Sequence, residues 1–260
     1  MFQPKRLDGL AVANSKVLAK ISAAVLACAL ASGAVASGAD AQPANVVAKV
    51  SGSFDIGAHP TNHADSLWVV VNKIRPLIPR RYAPVTVRPN FALPSTNNPY
   101  GRPLAKPAAI AIVILAKAMR AAGAGDLVLQ SGYRSYGEQV YVHNRQVQRY
   151  GVKAGEALAA RPGYSEHQTG LAADVSALGQ GCVIQFCFGK TVAGTWLREN
   201  AWRYGFIVRY PKGKTAITGY DYEPWHIRYV GKALSQQMHK DGVTVLEKFF
   251  DLPSAPAYRN

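Results

Sequence analysis

Ten consecutive residues, Ser165 to Asp174 (SEHQTGLAAD), and a second group about fifty residues on, Glu223-Pro224-Trp225-His226, carry the chemistry legible in this chain. His167, Asp174 and His226 are of the types that ligate zinc, and Glu223 is a spare carboxylate beside the last of them. A catalytic zinc site needs three protein ligands, a fourth position open to water and a nearby base. This set supplies all but the water. Each residue taken singly has a plainer reading, since a buried histidine is usually a hydrogen-bonded core residue and an aspartate a cap or ion-pair partner. Core packing, however, does not ask for His, Asp, Glu and His together at these spacings among Gly and Trp. His59, His63, His143 and His239 lack such company and read as surface residues.

The surrounding elements must bring these side chains together. Gly170 lets the chain turn after His167, and Ala172 and Ala173 suit a buried strand, Ala172 to Ser176, that holds Asp174 rigidly. Pro224 holds Glu223 in an extended or turn conformation rather than a helical one. In a straight strand, residues three apart face opposite sides, so Glu223 and His226 converge only if the chain turns or bulges at Pro224. Upstream, Pro107 to Ala122 predicts a helix that Gly123 and Gly125 end, and its ring of Ala, Ile, Val and Leu predicts burial on most sides. Leu127 to Ser131 reads as a strand. Ser135 and Glu138 form a capping box that starts a helix to about Tyr150. Arg134 therefore stands just before a helix N-terminus, a favourable place for an anionic group. Thr191 to Tyr204 predicts a helix that sets Trp196 and Trp202 against the sheet. Phe206 to Arg209 and Trp225 to Val230 predict strands, and Gly231 to Asp241 a last helix. Few strands in mixed order with flanking helices predict an α+β fold, with helices packed on one small antiparallel sheet. The chain has no internal repeat, phosphate loop or dinucleotide fingerprint.

Three segments, SGYRSYGEQ (Ser131 to Gln139), SEHQTGLAAD and EPWHIRYVG (Glu223 to Gly231), resemble the motifs of the zinc D-alanyl-D-alanine carboxypeptidases of the VanY-like, LAS-type family. Those motifs are written SxHxxGxAxD and ExxH with an upstream YRS segment. Leu67 to Arg81 (LWVVVNKIRPLIPRR) is similar to the segment that opens the family's domain, so the resemblance runs from about Ser66 to Phe250. It implies a hedgehog/DD-peptidase-like fold and one zinc ion bound by His167, Asp174 and His226. It also implies Glu223 as general base and Arg134 facing the substrate, polarising the scissile carbonyl or holding a carboxylate. Gln139 and Ser165 match positions that contact the peptide near its C-terminal carboxylate, although Ser165 would serve equally to cap the turn carrying His167. Physical chemistry supports these roles. Zinc lowers the pKa of bound water toward ~7, a carboxylate accepts its proton, and a guanidinium suits the oxyanion of a tetrahedral intermediate.

At 260 residues the chain allows one good-sized domain with appendages. The basic start, with Lys5, Arg6, Lys16 and Lys20, runs into an apolar stretch from Ile21 to Val35. Ala39-Asp40-Ala41 then forms an A-x-A cleavage site. That is the layout of a secretory signal peptide over residues 1–41, and the apolar run is shorter than the ~20 residues of a membrane span. An uncleaved anchor, or a lipid on Cys28 in Val25-Leu26-Ala27-Cys28, is the alternative. Residues 42–65 read as a flexible tether, 66–252 as the peptidase domain and 253–260 as a tail. Beyond the signal segment the cysteines are Cys182 and Cys187. In an oxidising compartment this spacing predicts a small disulfide-closed loop near the cleft rim, worth about 2 kcal/mol of closure entropy. Removing the signal segment lowers the formal net charge from +15 to +13. Such a field attracts polyanions. Anionic wall polymers or phospholipid headgroups suit an exported chain better than nucleic acid, for which there is no motif; the plainer reading is solubility.

The function expected from these readings is an exported, monomeric zinc peptidase that removes the C-terminal D-alanine of peptidoglycan stem peptides. An L,D-carboxypeptidase, a peptidoglycan endopeptidase and a non-catalytic wall-binding module of the same fold are the alternatives. The presence of both Glu223 and Arg134 weighs against the last.

Overall fold

Within residues 54–259, which the computed structural model describes, branched and small residues form six strands. These are β1 (Thr86–Val87), β2 (Leu104–Ala105), β3 (Leu127–Ser131), β4 (Ala172–Ala177), β5 (Phe206–Tyr210) and β6 (Glu223–Tyr229). β1 and β2 form a small antiparallel ribbon, and the other four an antiparallel sheet in the order β3-β4-β6-β5. Every residue of β4 is buried. A central strand covered on both faces has no polar side to show, and Ala172, Ala173 and Ala177 let its neighbours pack close.

The helices among the described residues are α1 (Pro94–Asn97), α2 (Lys106–Ala121), α3 (Tyr136–Leu158), α4 (Val192–Asn200), α5 (Thr215–Thr218), α6 (Lys232–Lys240) and α7 (Leu246–Phe249). The main core joins Ile112, Leu115 and Met119 of α2 to Leu129, Val175 and Ile227 of the sheet and Leu197 of α4. A second core packs Leu234 and Met238 of α6 on Trp68 and Val70, and the Trp68 indole donates to the Val230 carbonyl at 3.0 Å. The α+β architecture is as the sequence predicts.

Several local expectations change. α2 buries one face only, because Ile110 and Ile114 on its outer side are exposed. The helix predicted over Thr191 to Tyr204 is α4 followed by a 3-10 turn, Ala201–Tyr204, ended by Gly205. The Ser135–Glu138 capping box is formed in full. α3 breaks at Gly151 (φ 77°), one residue beyond the predicted end at Tyr150, and a further helical piece follows. Of the tether predicted over 42–65, residues 54–65 pack on the domain: Phe54 stacks on Trp68 with ring centroids 5.5 Å apart, and Ala64 is buried. The predicted tail packs as well, since Ala255 is buried and the Tyr258 hydroxyl accepts from the Arg161 N–H at 2.7 Å. The signal segment, Cys28 and the start of the tether lie outside the described residues. No helix among the described residues is long and apolar enough to cross a membrane.

Candidate active site

Asp174 and His226 are cross-strand partners on β4 and β6, so the sheet itself fixes two of the three candidate ligands. His167 arrives on a buried 3-10 turn, Glu166–Thr169. Gly170 ends that turn at φ 69°, and a Cβ there would lie 2.9 Å from the Ala105 amide nitrogen, so both conformation and space require glycine. The required departure from a straight strand is present in β6: Val208 faces Ile227 while Tyr210 faces Glu223, so β6 carries extra residues at Pro224 and Trp225. That irregularity turns Glu223 toward His226, with Oε2 3.6 Å from Nδ1. A second irregularity, between Leu129 and Ser131 of β3, sits beside Asp174 on its other flank.

One ligand atom from each of His167, Asp174 and His226 lies within 4.8 Å of the others. His167 Nε2 is 3.1 Å from Asp174 Oδ2, and His226 Nδ1 is 3.2 Å from Asp174 Oδ1. Oδ1 is buried without a hydrogen-bond partner, which is costly unless a cation completes it. Two imidazoles and one carboxylate are a donor set that suits zinc. The far ring nitrogens are also engaged. His167 Nδ1–H donates to the Gly132 carbonyl at 2.8 Å, and His226 Nε2 lies 3.4 Å from Glu166 Oε2. Such outer partners fix which nitrogen faces a metal. Burial and the nearby Arg134 charge push the His167 pKa down, which keeps it neutral as a ligand must be. For His226, burial opposes the charged ring, but the close Asp174, Glu166 and Glu223 carboxylates override it and raise the pKa to about 9. Three carboxylates, Asp174, Glu166 and Glu223, converge on this one ring.

Sequence reasoning passed over Glu166, although it lies inside the quoted motif. Its carboxylate accepts from Arg209 at 2.8 Å and from Arg228 at 2.9 Å, and Arg209 also pairs with Glu247. All four side chains are fully buried. Burial disfavours ionised Glu166, but the two guanidiniums hold its carboxyl well below the usual range. Adjacent residues of the 3-10 turn thus point apart, His167 into the cleft and Glu166 into the wall behind His226. No local pattern marks this, because the arginines come from β5 and β6. The only available signal was that two strands of a predicted sheet carry arginines among apolar neighbours.

The cluster opens into a cleft of about 1290 Å³, lined in part by Arg134, Gln139, Ser165, Glu223, Tyr210 and Phe186. Burial pushes the Glu223 carboxyl up to about 8 despite the His226 and Arg134 charges; a cation at the cluster pulls it back down. Arg134 Nη2 is 3.6 Å from Asp174 Oδ2, and Nη1 donates to Gln139 Oε1 at 3.0 Å. Gln139 also donates to the Ala160 carbonyl at 2.7 Å and is almost wholly buried. Its carboxamide therefore orients Arg134, while the residue itself lines the cleft as the expected substrate contact requires. The Ser165 side chain caps nothing in its turn, so of its two expected roles only the one facing the cleft survives. The Cys182–Cys187 disulfide is formed, and Ile184, Gln185, Phe186 and Cys187 line the cleft. The remaining histidines, His59, His63, His143 and His239, stand outside this lining.

Residues 101–232 match the VanY family, D-alanyl-D-alanine carboxypeptidase. The chain belongs to this family. YodJ of Bacillus subtilis (strain 168) is 37% identical over 196 residues, which span 75% of this chain and 71% of YodJ. Among solved structures, the LdcB LD-carboxypeptidase superposes with a TM-score of 0.65 at 36% identity, covering 74% of this chain and 88% of that one. A variant of a VanY D,D-pentapeptidase from a VanB-type resistance cassette, solved in complex with Zn(II), superposes with a TM-score of 0.58 at 32% identity, covering 70% and 97%.

Proposed function

We propose that this VanY-family enzyme uses one zinc ion, held by His167, Asp174 and His226, to release the C-terminal D-alanine of peptidoglycan stem peptides. The observation that carries the proposal is that Glu223 and Arg134 face the same cleft from either flank of the ligand cluster. Zinc in this site supplies two things, a bound water of lowered pKa and polarisation of the scissile carbonyl. Glu223 accepts the proton of the attacking water and delivers it to the leaving nitrogen. Arg134, with its guanidinium set by Gln139, offers two parallel charge-assisted hydrogen bonds to the terminal carboxylate or to the developing oxyanion. Ser165 adds a hydroxyl in the same cleft.

A second reading is favoured by a specific observation. LdcB, an LD-carboxypeptidase, superposes somewhat better than the D,D-pentapeptidase, so cleavage of an L,D bond in a tetrapeptide belongs with the D,D reaction as a candidate. Export by the segment 1–41 is part of the proposal, supported by its basic-apolar-small order and by a disulfide that suits an oxidising compartment. A monomer acting on the wall, with its positive charge drawn to anionic polymers, completes the reading.

Incubating the zinc-loaded protein with defined pentapeptide and tetrapeptide muropeptides, and weighing the products, tests it. Loss of one alanine from the pentapeptide, with an amidated pentapeptide resistant, is the expected result. Equal cleavage of free and amidated peptides would instead make the enzyme an endopeptidase.

A further inference from the structure

The loop between Cys182 and Cys187 has a backbone its own residues do not favour. Cys182 stands at φ 53° and Ile184 at φ 51°, both left-handed. For a β-branched residue such as Ile184 that region is a genuine outlier. Such conformations persist where the surroundings over-determine them, and they gather at functional sites. Here the covalent ring over-determines the loop, and its ends are anchored: Cys182 packs on the main core and Phe188 is fully buried. Between these anchors Val183, Ile184 and Phe186 are exposed, an unusual set of residues to hold out to solvent. Ile184, Gln185 and Phe186 line the cleft, and Phe186 stacks on Trp225, the neighbour of His226, with centroids 6.0 Å apart.

The size of the cleft indicates what this wall receives. A carboxypeptidase places a single residue beyond the scissile bond, yet the cleft of about 1290 Å³ exceeds the ~300–1,000 Å³ that hold a drug-sized ligand. Most of its lining must face the peptide on the N-terminal side of the cut. We propose that the disulfide ring Cys182–Cys187 is a specificity element, holding Phe186 and Ile184 as the apolar wall that receives methyl and methylene groups of the peptide N-terminal to the scissile bond. Phe186 and Ile184 are the contacting residues, and the two cysteines are positioning residues. The inference rests on the carboxypeptidase reading above.

Calorimetric binding of a D-Ala-D-Ala-ended pentapeptide to zinc-loaded Glu223→Ala protein tests it without turnover. A phosphine reductant opens the ring: the disulfide takes up two electrons and two protons to give two thiols, and the phosphine becomes its oxide with oxygen from water. Reduction should weaken binding roughly tenfold while zinc content stays at one ion. The Cys182→Ala/Cys187→Ala protein should start weak and ignore the reductant. In the active enzyme, Phe186→Ala should raise KM roughly tenfold and leave kcat within about twofold. Equal affinity of the oxidised and reduced proteins, or an unchanged KM in Phe186→Ala, overturns the role of the ring. No binding of this peptide or of the matching tetrapeptide in any state overturns the carboxypeptidase reading and the proposal with it.

Discussion

Glu166→Gln separates the zinc ligands from what stands behind them. The glutamine keeps the shape of the side chain and an acceptor oxygen but removes one charge from a buried set of two carboxylates, Glu166 and Glu247, and two guanidiniums, Arg209 and Arg228. All four are 0% exposed, so no water compensates the positive charge left over. Breaking a buried pair by removing one partner costs about 3–5 kcal/mol. For a domain of this size each kcal/mol moves the thermal midpoint by about 2–4 °C, so the metal-free variant should melt roughly 6–20 °C lower. A second effect is local, because the His226 Nε2 proton loses its carboxylate acceptor. Outer-shell losses of this kind weaken metal binding about 10–100-fold. Thermal unfolding in chelator reads the first effect, and competition against a zinc chelator reads the second. Adding Arg228→Met to Glu166→Gln removes the stranded charge, so much of the stability should return while zinc affinity stays low. A Glu166→Gln protein with parental midpoint and parental zinc affinity would refute the role of this network.

Three further outcomes follow from the same geometry. Glu223→Ala should keep zinc by metal analysis and lose turnover by about 10²–10⁴-fold, the usual worth of general acid–base assistance; near-normal turnover in the loaded protein removes Glu223 from the chemistry. Arg134→Ala should cut kcat/KM by about 10²-fold or more without releasing zinc, whereas Gln139→Ala, which only unlocks Arg134, should cost less; the reverse order would contradict the hydrogen bonds assigned to Gln139. Without metal, Glu223 at about 8 and His226 at about 9 both bind protons more tightly folded than unfolded, while the depressed His167 acts the opposite way below 6.5, so the apo protein should lose stability as pH rises from about 6.5 to 9. Zinc requires the deprotonated ligands, so the zinc-induced rise in thermal midpoint should grow over that window, and a pH-independent rise would contradict the assigned ligands.

The cluster of His167, Asp174 and His226 was legible because its constraints are local. Asp174 needs small neighbours in a buried strand, His167 needs a turn that Gly170 closes, and Glu223 can meet His226 only through an irregularity at Pro224; each demand is written within a few residues of the group it serves. The ends of α2 and the capping box of α3 were equally local, resting on Pro107, Gly123 and the Ser135–Glu138 pair. What the sequence concealed depends on partners far along the chain. The exposed face of α2 could not be told from its apolar residues, since nothing in Ile110 or Ile114 says whether another element covers them. Residues 54–65 and 253–260 look like linker and tail by composition, yet Phe54 and Tyr258 find aromatic partners in Trp68 and Tyr164.

Glu166 shows the same division within one motif. Its neighbour His167 is recognisable because zinc chemistry restricts the residue types that can stand there. Glu166 is defined by Arg209 and Arg228, which only the pairing of β5 with β6 brings beside it. A charge in a strand, such as Arg209 or Arg228, reads from sequence as a break in the apolar pattern, and these two with Glu166 on a turn and Glu247 on a helix give no reason to be joined. Once the sheet is formed they account for one another, because a buried carboxylate that must stay ionised behind a metal-binding histidine needs buried cations to hold it so. Those cations in turn need Glu247 and Asn72, which donates to Glu247 at 3.0 Å. The proposed ligands therefore carry the case for what the site binds, and the buried network, invisible until folding, carries the case for how firmly His226 is held.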